Sequence, residues 1–299
     1  MPPHPPSRPR RGPAPAAERR FRSLDEYRVG REWSRYEGTP LRDLFRELRL
    51  RFLARHPCRV PGPVLEIGPG PGRFSRAIGE PDHPRILLDL SREALGQARR
   101  RLSGPEGGGS VPSEFVRGNG RRPPFRSGRF AQVVLLGNTV GFAGPHAEEL
   151  LQAADRCLAP GGELLIELVA GTGEQSVYLR RLPLGALARL MAAPPAAIVP
   201  RVRREGFRPT EERRRPSGSF HRFPPAELER LASRMGWTIE ERIAVAPALG
   251  QAPDRLEAIG SGVRVQAHLL AVEEELGRDP ARWSRAAALL LAARRDRGI

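Results

Sequence analysis

The sequence predicts an α/β fold with a mostly parallel sheet, and three features indicate it. From about residue 60 to 170, short runs of β-forming residues alternate with helical stretches, which is typical of strands joined by crossover helices. A glycine-rich turn directly follows the first run, and an acidic residue, Asp89, lies near the end of the second. The five runs are 64–67, 86–90, 115–117, 132–136 and 163–169.

The charge of the chain is high but unevenly placed. Its 299 residues include 50 basic side chains, all arginine, against 34 acidic ones, a formal charge of +16. Such a balance favours a nucleic-acid partner, although the loss of every lysine is also what a GC-rich codon bias produces. Residues 61–170 hold 13 arginines and 12 acids, whereas residues 1–60 hold 15 and 7, and residues 171–299 hold 22 and 15. The alternating α/β unit is therefore almost neutral.

Hydropathy and cysteine content exclude several classes of protein. No apolar run approaches the roughly 18 residues that cross a bilayer, and the N-terminus lacks the apolar stretch of a secretory signal. Two cysteines, Cys58 and Cys157, make neither a disulfide framework nor a zinc set. Cys157 lies in an apolar helical pattern, which predicts a small buried hydrophobe. We therefore expect a cytoplasmic protein with no metal site and no membrane association.

Composition divides the chain into five segments. Residues 1–23 are rich in proline and arginine and predict a disordered basic tail. Residues 24–60 contain a helical pattern, residues 61–170 form the α/β core, and residues 171–215 are an insertion rich in Ala, Pro and Arg. Residues 216–299 form the C-terminal part.

Local signals predict further elements outside the core. Apolar residues spaced by three and four predict an amphipathic helix over 41–55. The C-terminal part is predicted to hold a helix over 225–234 that ends at Gly236, a strand over 237–245, a helix over 264–276, and either a helix or a last buried strand over 286–293.

The strongest chemical signal is the segment VLEIGPGPGRF at 64–74. Its three glycines, Gly68, Gly70 and Gly72, let the backbone approach a ligand where a Cβ would clash. A dinucleotide-binding turn has the spacing G-x-G-x-x-G, but Arg73 stands where the third glycine would be. The observed G-x-G-x-G weakens the prediction of NAD binding.

Asp89 is the second signal, 21 residues after Gly68. An acid at about this distance accepts hydrogen bonds from ribose hydroxyls. The alternative is that the segment 89–91 only caps the next helix, with Ser91 as the N-cap. Because the glycine turn and the acid occur together, we predict the ribose role.

Three segments together resemble a known family. VLEIGPGPGRFS, ILLDLS at 86–91 and LAPGGEL at 158–164 resemble, in order and spacing, motif I, the second strand with its terminal acid, and the approach to the fifth strand of class I S-adenosylmethionine-dependent methyltransferases. The resemblance covers residues 60–170 well and 220–246 loosely.

The resemblance implies an α/β fold with a seven-stranded, mostly parallel, Rossmann-like sheet. The segment 237–245 would be the sixth strand and 286–294 the last, despite its helical composition. Residues 24–60 would form an N-terminal helical lid, and residues 171–215 a helical cap over the carboxyl ends of the strands.

The resemblance also implies the cofactor-binding residues. The glycines would pass beneath the methionine part of S-adenosyl-L-methionine, and Glu66 would help to hold its amino end. Asp89 would bind the ribose and Leu90 would lie against the adenine. Asn119 stands where the family often has aspartate, and its amide oxygen can still accept from the adenine amino group. The implied set is Glu66, Gly68, Gly70, Gly72, Asp89, Leu90, Asn119, Gly120 and Asn138.

Candidate catalytic residues are few, because methyl transfer depends chiefly on alignment and needs a base only if the acceptor must lose a proton. Asn138, in GNTVG after the fourth strand, lies where the family places groups facing the methyl, although it is equally typical of a turn. The segment is not the N-P-P-Y form of enzymes that methylate nucleic-acid amino groups. His221 resembles a position near the substrate pocket of some small-molecule members and ranks above His146, although either can be a surface or packing residue.

Two further features have alternative interpretations. Tyr27, Trp33 and Tyr36 would form an aromatic lid over the cofactor or pack an N-terminal helix. The arginine-rich runs 201–204 and 213–215 lack the interleaved aromatics of single-stranded nucleic-acid sites, which favours a solvated surface.

The sequence thus predicts an enzyme that transfers a methyl group from S-adenosyl-L-methionine to an O, N or C atom of a small-molecule acceptor. The alternatives are an RNA or protein methyltransferase that uses the arginine-rich flanks, and a non-catalytic protein that binds the same cofactor. The oligomeric state stays open.

Overall fold

The structure is a computed structural model, and it describes residues 40–104, 111–169, 175–176, 207–208, 223, 225–245, 263–286 and 288–295. The predicted tail at 1–23, the aromatic residues Tyr27, Trp33 and Tyr36, and His221 lie outside the described residues. So do the arginine runs 201–204 and 213–215. Of the predicted cap at 171–215, two short strands are described, 175–176 and 207–208, which pair antiparallel.

A seven-stranded sheet forms the centre of the described part, with the order β3-β2-β1-β4-β5-β9-β8. The first five strands are parallel, and β9 runs antiparallel to both β5 and β8. The strands are β1 (Val64–Ile67), β2 (Arg85–Asp89), β3 (Ser113–Arg117), β4 (Phe130–Leu135), β5 (Leu158–Leu168), β8 (Trp237–Val245) and β9 (Ala288–Arg295), with β6 (Gln175–Ser176) and β7 (Phe207–Arg208) forming the separate pair. The predicted seven-stranded, mostly parallel sheet is confirmed.

Helices cover both faces of this sheet. The helices are α1 (Pro40–Arg55), α2 (Arg92–Ser103), α3 (Thr139–Phe142), α4 (Ala147–Cys157), α5 (Pro225–Met235) and α6 (Val263–Gly277). Apolar residues of α1 and α6 pack on one face, and those of α4 and α5 pack on the other. A strand that is covered on both faces has a continuous apolar sequence. In β4, all six residues are buried. Within the described helices, none is long and apolar enough to span a bilayer.

The last strand shows tertiary context overriding local propensity. Its sequence, ALLLAARR, has good helix-forming composition. The segment nevertheless lies between β5 and β8 and pairs with both, so its backbone groups are hydrogen-bonded on two sides. Its first six residues are buried, which an isolated amphipathic helix could not achieve. The interpretation as a final strand is confirmed.

The fifth strand is longer than its sequence predicts. It begins at Leu158 rather than at residue 163, because Leu158 already pairs with Phe130 before a register shift. Gly161 within this irregular stretch has a φ of +77°, a left-handed conformation that suits glycine. The LAPGGEL segment is therefore part of the strand and not only its approach.

Polar side chains are buried between α1 and the sheet. His56, just after α1, faces two carboxylates: its Nδ1 lies 3.1 Å from Oε1 of Glu163 and its Nε2 lies 2.7 Å from Oε2 of Glu241. The Gln132 amide donates to the carbonyl of His56 and to Glu163. Burial lowers the pKa of His56, but the hydrogen bonds and negative charges of Glu163 and Glu241 outweigh it and raise the pKa to about 9. The imidazole is therefore charged at neutral pH.

We expect this network to make folding stability sensitive to alkaline pH. The pKa of His56 rises from 6.5 in the unfolded chain to about 9 in the fold, so its stabilisation is complete below pH 6.5 and is lost as the pH rises through 9. The total loss should be on the order of 3 kcal/mol, measured as the free energy of unfolding in denaturant between pH 6 and 9.5.

In the matched variant His56→Asn, the free energy of unfolding should not show this decrease as the pH rises. Cys58 and Cys157, whose pKa values burial raises to about 11, contribute to both curves and cancel in their difference. Parallel curves for the two proteins would contradict a charged His56.

Candidate active site at the carboxyl edge of the sheet

The strand order places a crevice between β1 and β4. From β1 the chain moves outward through β2 to β3, and it then returns to β4 on the other side of β1. Ligands of open α/β sheets bind outside the carboxyl ends of the strands at such a switch point. The glycine turn after β1 and the turn Gly137–Asn138 after β4 lie at this position.

The structural reason for a glycine differs among the three positions of the turn. All three have positive φ, +72° at Gly68, +55° at Gly70 and +83° at Gly72. A Cβ on Gly68 would lie 2.6 Å from the Thr139 side chain, and one on Gly72 would lie 3.0 Å from the Cβ of Ala98. A Cβ on Gly70 would meet nothing within 4 Å. Gly68 and Gly72 therefore serve packing, and Gly70 faces open space that a ligand can fill.

Glu66 lies beneath the turn and is almost fully buried, at 3% exposure. Its Oε2 accepts a hydrogen bond of 2.5 Å from the Ser75 hydroxyl. Arg85, also buried, donates to the carbonyl of Ser75 at 2.5 Å and to the Ser113 hydroxyl at 2.6 Å. Burial raises the pKa of Glu66 to about 7, although the Ser75 hydrogen bond and the Arg85 charge oppose it. The network fixes the segment that follows the turn.

Asp89 connects the turn to the next helix. Its Oδ2 accepts from the backbone N–H of Gly70 at 3.0 Å, and its Oδ1 accepts from that of Ser91 at 2.8 Å. Ser91 is the N-cap of α2, and its hydroxyl accepts from the N–H of Ala94. Removal from water raises the pKa of Asp89, while these backbone hydrogen bonds oppose the rise. The alternative that residues 89–91 cap the helix is thus correct for Ser91, and the ribose role of Asp89 stays a prediction.

The segments after β2 and β3 form the next part of the edge. Leu90 is half-buried. The amide oxygen of Asn119 accepts from the backbone N–H of Arg121 at 3.0 Å, which leaves its second lone pair for a ligand. A Cβ on Gly120 would lie 2.5 Å from Cγ2 of Ile67, so packing alone explains this glycine.

Asn138 occupies a strained position in the turn after β4. Its φ of +67° makes it the one non-glycine residue with positive φ in the described part of the chain. Its amide oxygen is buried against Gly141 and has no hydrogen-bond donor. The Thr139 hydroxyl donates to the carbonyls of Leu136 at 2.7 Å and Gly68 at 3.3 Å. The turn after β4 is thereby joined to the turn after β1.

The two histidine candidates remain without a catalytic assignment. His146 is half-exposed, and its Nδ1 lies 3.3 Å from Oε2 of Glu149. This contact joins two side chains on the surface. His221 lies outside the described residues, so its predicted role is unchanged.

Sequence reasoning missed the residues that hold the loops. Thr139, Ser75, Arg85 and Glu167 support the glycine turn or the turn after β4. The signal that could have found Glu167 is its charge, because a carboxylate inside the apolar run LLIEL must have a buried partner. The cationic partner of Glu167 is Arg49, which lies 118 residues earlier in the sequence.

Part of the chain is similar in sequence to a known family of domains. A profile of the family described as "Methyltransferase domain" matches residues 64–162, which span the glycine turn, Asp89 and the turn after β4. Residues 64–162 therefore form a methyltransferase domain.

Relatives of the methyltransferase domain are found by sequence and by structure. Trans-aconitate 2-methyltransferase from Methylobacterium nodulans is 33% identical over 147 residues, 48% of this chain and 53% of that protein. The match thus spans about half the length of that curated relative.

Two solved structures share the fold at low identity. The PH0226 protein from Pyrococcus horikoshii OT3 aligns with a TM-score of 0.51 and 16% identity, covering 92% of this chain and 100% of that chain. Magnesium protoporphyrin IX methyltransferase (ChlM) from Synechocystis PCC 6803, with bound SAH, aligns with a TM-score of 0.51 and 11% identity, covering 89% and 94%.

The glycines of the methyltransferase domain give a matched pair of variants. Gly68→Ala places a methyl against Thr139 in a left-handed conformation, so it should lower the free energy of unfolding by roughly 2–4 kcal/mol. Gly70→Ala should cost only the conformational part, about 1 kcal/mol, yet it should weaken S-adenosylmethionine binding because the methyl enters the open space. Denaturant unfolding and calorimetry measure the two effects.

The double variant Gly68→Ala/Thr139→Ala is the control, because it removes both atoms that lie 2.6 Å from the new methyl. It should recover part of the lost stability. A Gly70→Ala protein that binds the cofactor like the wild type would show that the ligand does not occupy this space.

Proposed function

We propose that this protein transfers the methyl group of S-adenosyl-L-methionine to a small-molecule acceptor. The observation that carries the proposal is the cradle at Gly70, where the backbone is open toward the switch-point crevice while its N–H is held by Asp89. The match of residues 64–162 to methyltransferase domains supports it. The bound SAH in the structure of the Synechocystis relative agrees with the cofactor.

The residues of the crevice fit such a cofactor by their chemistry. Glu66, Gly68, Gly70 and Gly72 would hold its methionine part. The carboxylate of Asp89 has acceptor capacity left for ribose hydroxyls, since an ionised carboxylate offers about four lone-pair sites. Leu90, Asn119, Gly120 and Asn138 would complete the site on the adenine and methyl sides.

Methyl transfer by this site would depend mainly on positioning. When bound, the cofactor supplies an electrophilic methyl group on a sulfonium. The protein contributes by orienting the acceptor in line and excluding water, which can account for much of the rate enhancement without covalent help. Asn138 is the residue we propose to lie beside the acceptor. His221 is the proposed base for an acceptor that must lose a proton.

For the acceptor we propose a small carboxylic acid. The sequence relative from Methylobacterium nodulans is a trans-aconitate 2-methyltransferase, which suggests an acceptor of that class. A carboxylate is already ionised at neutral pH, so its methylation requires no base. Among the described crevice residues 66–72, 89–90, 119–120 and 137–139, none is a histidine or a cysteine.

The charge of the N-terminal flank gives little support to a nucleic-acid substrate. Five arginines of α1 and the residues just after it, those whose side chains the structure describes, have intramolecular acids as partners, on α1 itself, β5, β8 and α6. These arginines are Arg46, Arg49, Arg51, Arg55 and Arg59. Side chains held in ion pairs within the fold are less available to phosphates, so this part of the positive charge serves the protein itself.

The cofactor proposal predicts a graded response at Asp89. Asp89→Ala should weaken S-adenosylmethionine binding by roughly 10- to 100-fold, since hydrogen bonds to a charged group are worth about 1.5–3 kcal/mol. Asp89→Asn should fall between Ala and wild type because it keeps one acceptor oxygen. Calorimetric titration of each purified protein measures the affinities.

Glu93→Gln serves as the control, because Glu93 is a half-exposed acid in the first turn of α2 whose partner is Arg100 at 3.5 Å. Its cofactor affinity should equal that of the wild type. If the wild-type protein does not bind S-adenosylmethionine, the cofactor proposal is wrong. If Asp89→Ala binds it with the affinity of the wild type, Asp89 does not bind the ribose.

The acceptor class is tested by the chemistry of the product. With a cofactor labelled in its methyl group and a panel of small di- and tricarboxylic acids, we expect label in methyl esters, which release methanol on mild alkaline treatment. Label that resists alkali would point to a methyl ether or to an N- or C-methyl product. Label recovered only in added RNA or protein would overturn the small-molecule proposal.

A further inference from the structure

We propose that Glu167 and Arg49 form a positioning pair that sets the conformation of the Gly137–Asn138 turn, and hence the alignment of the acceptor with the methyl group. This inference rests on the proposed function of the crevice. Neither residue belongs to the three segments VLEIGPGPGRFS, ILLDLS and LAPGGEL that carry the resemblance.

Glu167 has two partners, one on a helix and one in the site. Its Oε1 accepts from Nη2 of Arg49 at 2.5 Å and its Oε2 from Nε at 2.8 Å, a bidentate pair. The same Oε2 accepts from the backbone N–H of Gly137 at 2.9 Å. The two side chains are only 4% and 3% exposed, so water does not compete for these hydrogen bonds. One carboxylate thus joins α1 to the turn after β4.

The turn needs such a partner because its backbone is strained. Gly137 and Asn138 have consecutive positive φ values of +66° and +67°. A left-handed conformation costs roughly 1–2 kcal/mol for a residue with a Cβ, and it persists where surrounding contacts over-determine it. The hydroxyl of Thr139 fixes one end of the turn on Gly68 and Leu136. Glu167 fixes the other end through Gly137.

A second buried carboxylate on β5, Glu163, allows a matched comparison. Glu163 lies four residues before Glu167 on the same face, and it also binds a buried cation that α1 brings to the sheet, His56. Its remaining partners are the Gln132 amide and Arg294, far along the strand from the crevice. Both carboxylates attach the same helix, but only Glu167 also holds a backbone N–H of the site.

A purely structural role can be separated from a positioning role by apolar replacement. Exchanging a buried ion pair for apolar residues of similar size is often neutral or stabilising. A double variant Arg49→Met/Glu167→Met should therefore fold well, yet leave the N–H of Gly137 without an acceptor. If the pair only attaches α1, this variant keeps full function; if it positions the turn, function is lost in a stable protein.

The experiment compares Glu167→Met, Glu167→Gln, Arg49→Met/Glu167→Met and the control Glu163→Met in the full chain. Thermal unfolding, calorimetric affinity for S-adenosylmethionine, kcat and KM are measured for each. Amide hydrogen exchange of the peptide covering 136–142 is followed in the protein without cofactor.

We expect kcat to fall by roughly 10- to 100-fold in Glu167→Met and in the double variant, since small misplacements near the chemistry have effects of this size. Cofactor affinity should change by less than about threefold, because Asn138 is the only residue of this turn in the proposed cofactor site and the other residues of that site follow β1, β2 and β3. Exchange over 136–142 should accelerate about tenfold or more in both variants. Glu167→Gln, which keeps one acceptor oxygen, should restore part of kcat, and Glu163→Met should lose stability with kcat and exchange close to wild type.

A double variant with wild-type kcat and exchange would overturn the proposal, as would equal losses of kcat in Glu163→Met and Glu167→Met at matched stability. The exchange measurement needs no cofactor. If the wild type binds no S-adenosylmethionine, the proposed function fails, while the exchange of 136–142 still shows whether Glu167 holds the turn.

Discussion

Hydrogen bonds from loop N–H groups and hydroxyls to strand carboxylates organise the carboxyl edge of this sheet. Parallel strands end at the same edge, and the loops that follow them have no ladder partner for their N–H groups. Asp89 of β2 accepts the N–H of Gly70, Glu167 of β5 accepts that of Gly137, and Glu66 of β1 holds Ser75. Asp89 and Glu167 thus each hold one of the two turns, and the Thr139 hydroxyl joins the turn after β4 to the glycine turn.

Buried carboxylates of β5 also explain how an arginine-rich helix packs on an apolar sheet. Buried charge is tolerated when it is paired and hydrogen-bonded. The helix and the residue after it meet this condition at two positions of β5, through Arg49 with Glu167 and His56 with Glu163. The stem of each long side chain can pack on apolar surface while its head finds a carboxylate. Part of the large positive charge is thus neutralised inside the fold.

Local patterns predicted the architecture well where they concern one stretch of chain. Alternating runs, the glycine turn and the acid of β2 depend on neighbouring residues, and each appears in the structure at the expected place. The start of β5 and the state of β9 depend instead on which strands lie beside them. The pairing of Leu158 with Phe130 and the position of β9 between β5 and β8 have no counterpart in local composition.

The sequence by itself determined the glycine turn and the similarity to methyltransferase domains, and it predicted the cofactor class, because these rest on short segments whose spacing carries the chemistry. Only the tertiary structure decided which groups hold the site in shape. Arg49 and Glu167 are separated by 118 residues, and Gly68 and Thr139 by 71, so their contacts arise from the order of strands across the sheet. The left-handed conformation of Asn138 follows from those contacts, since its own residue type permits a turn without requiring one.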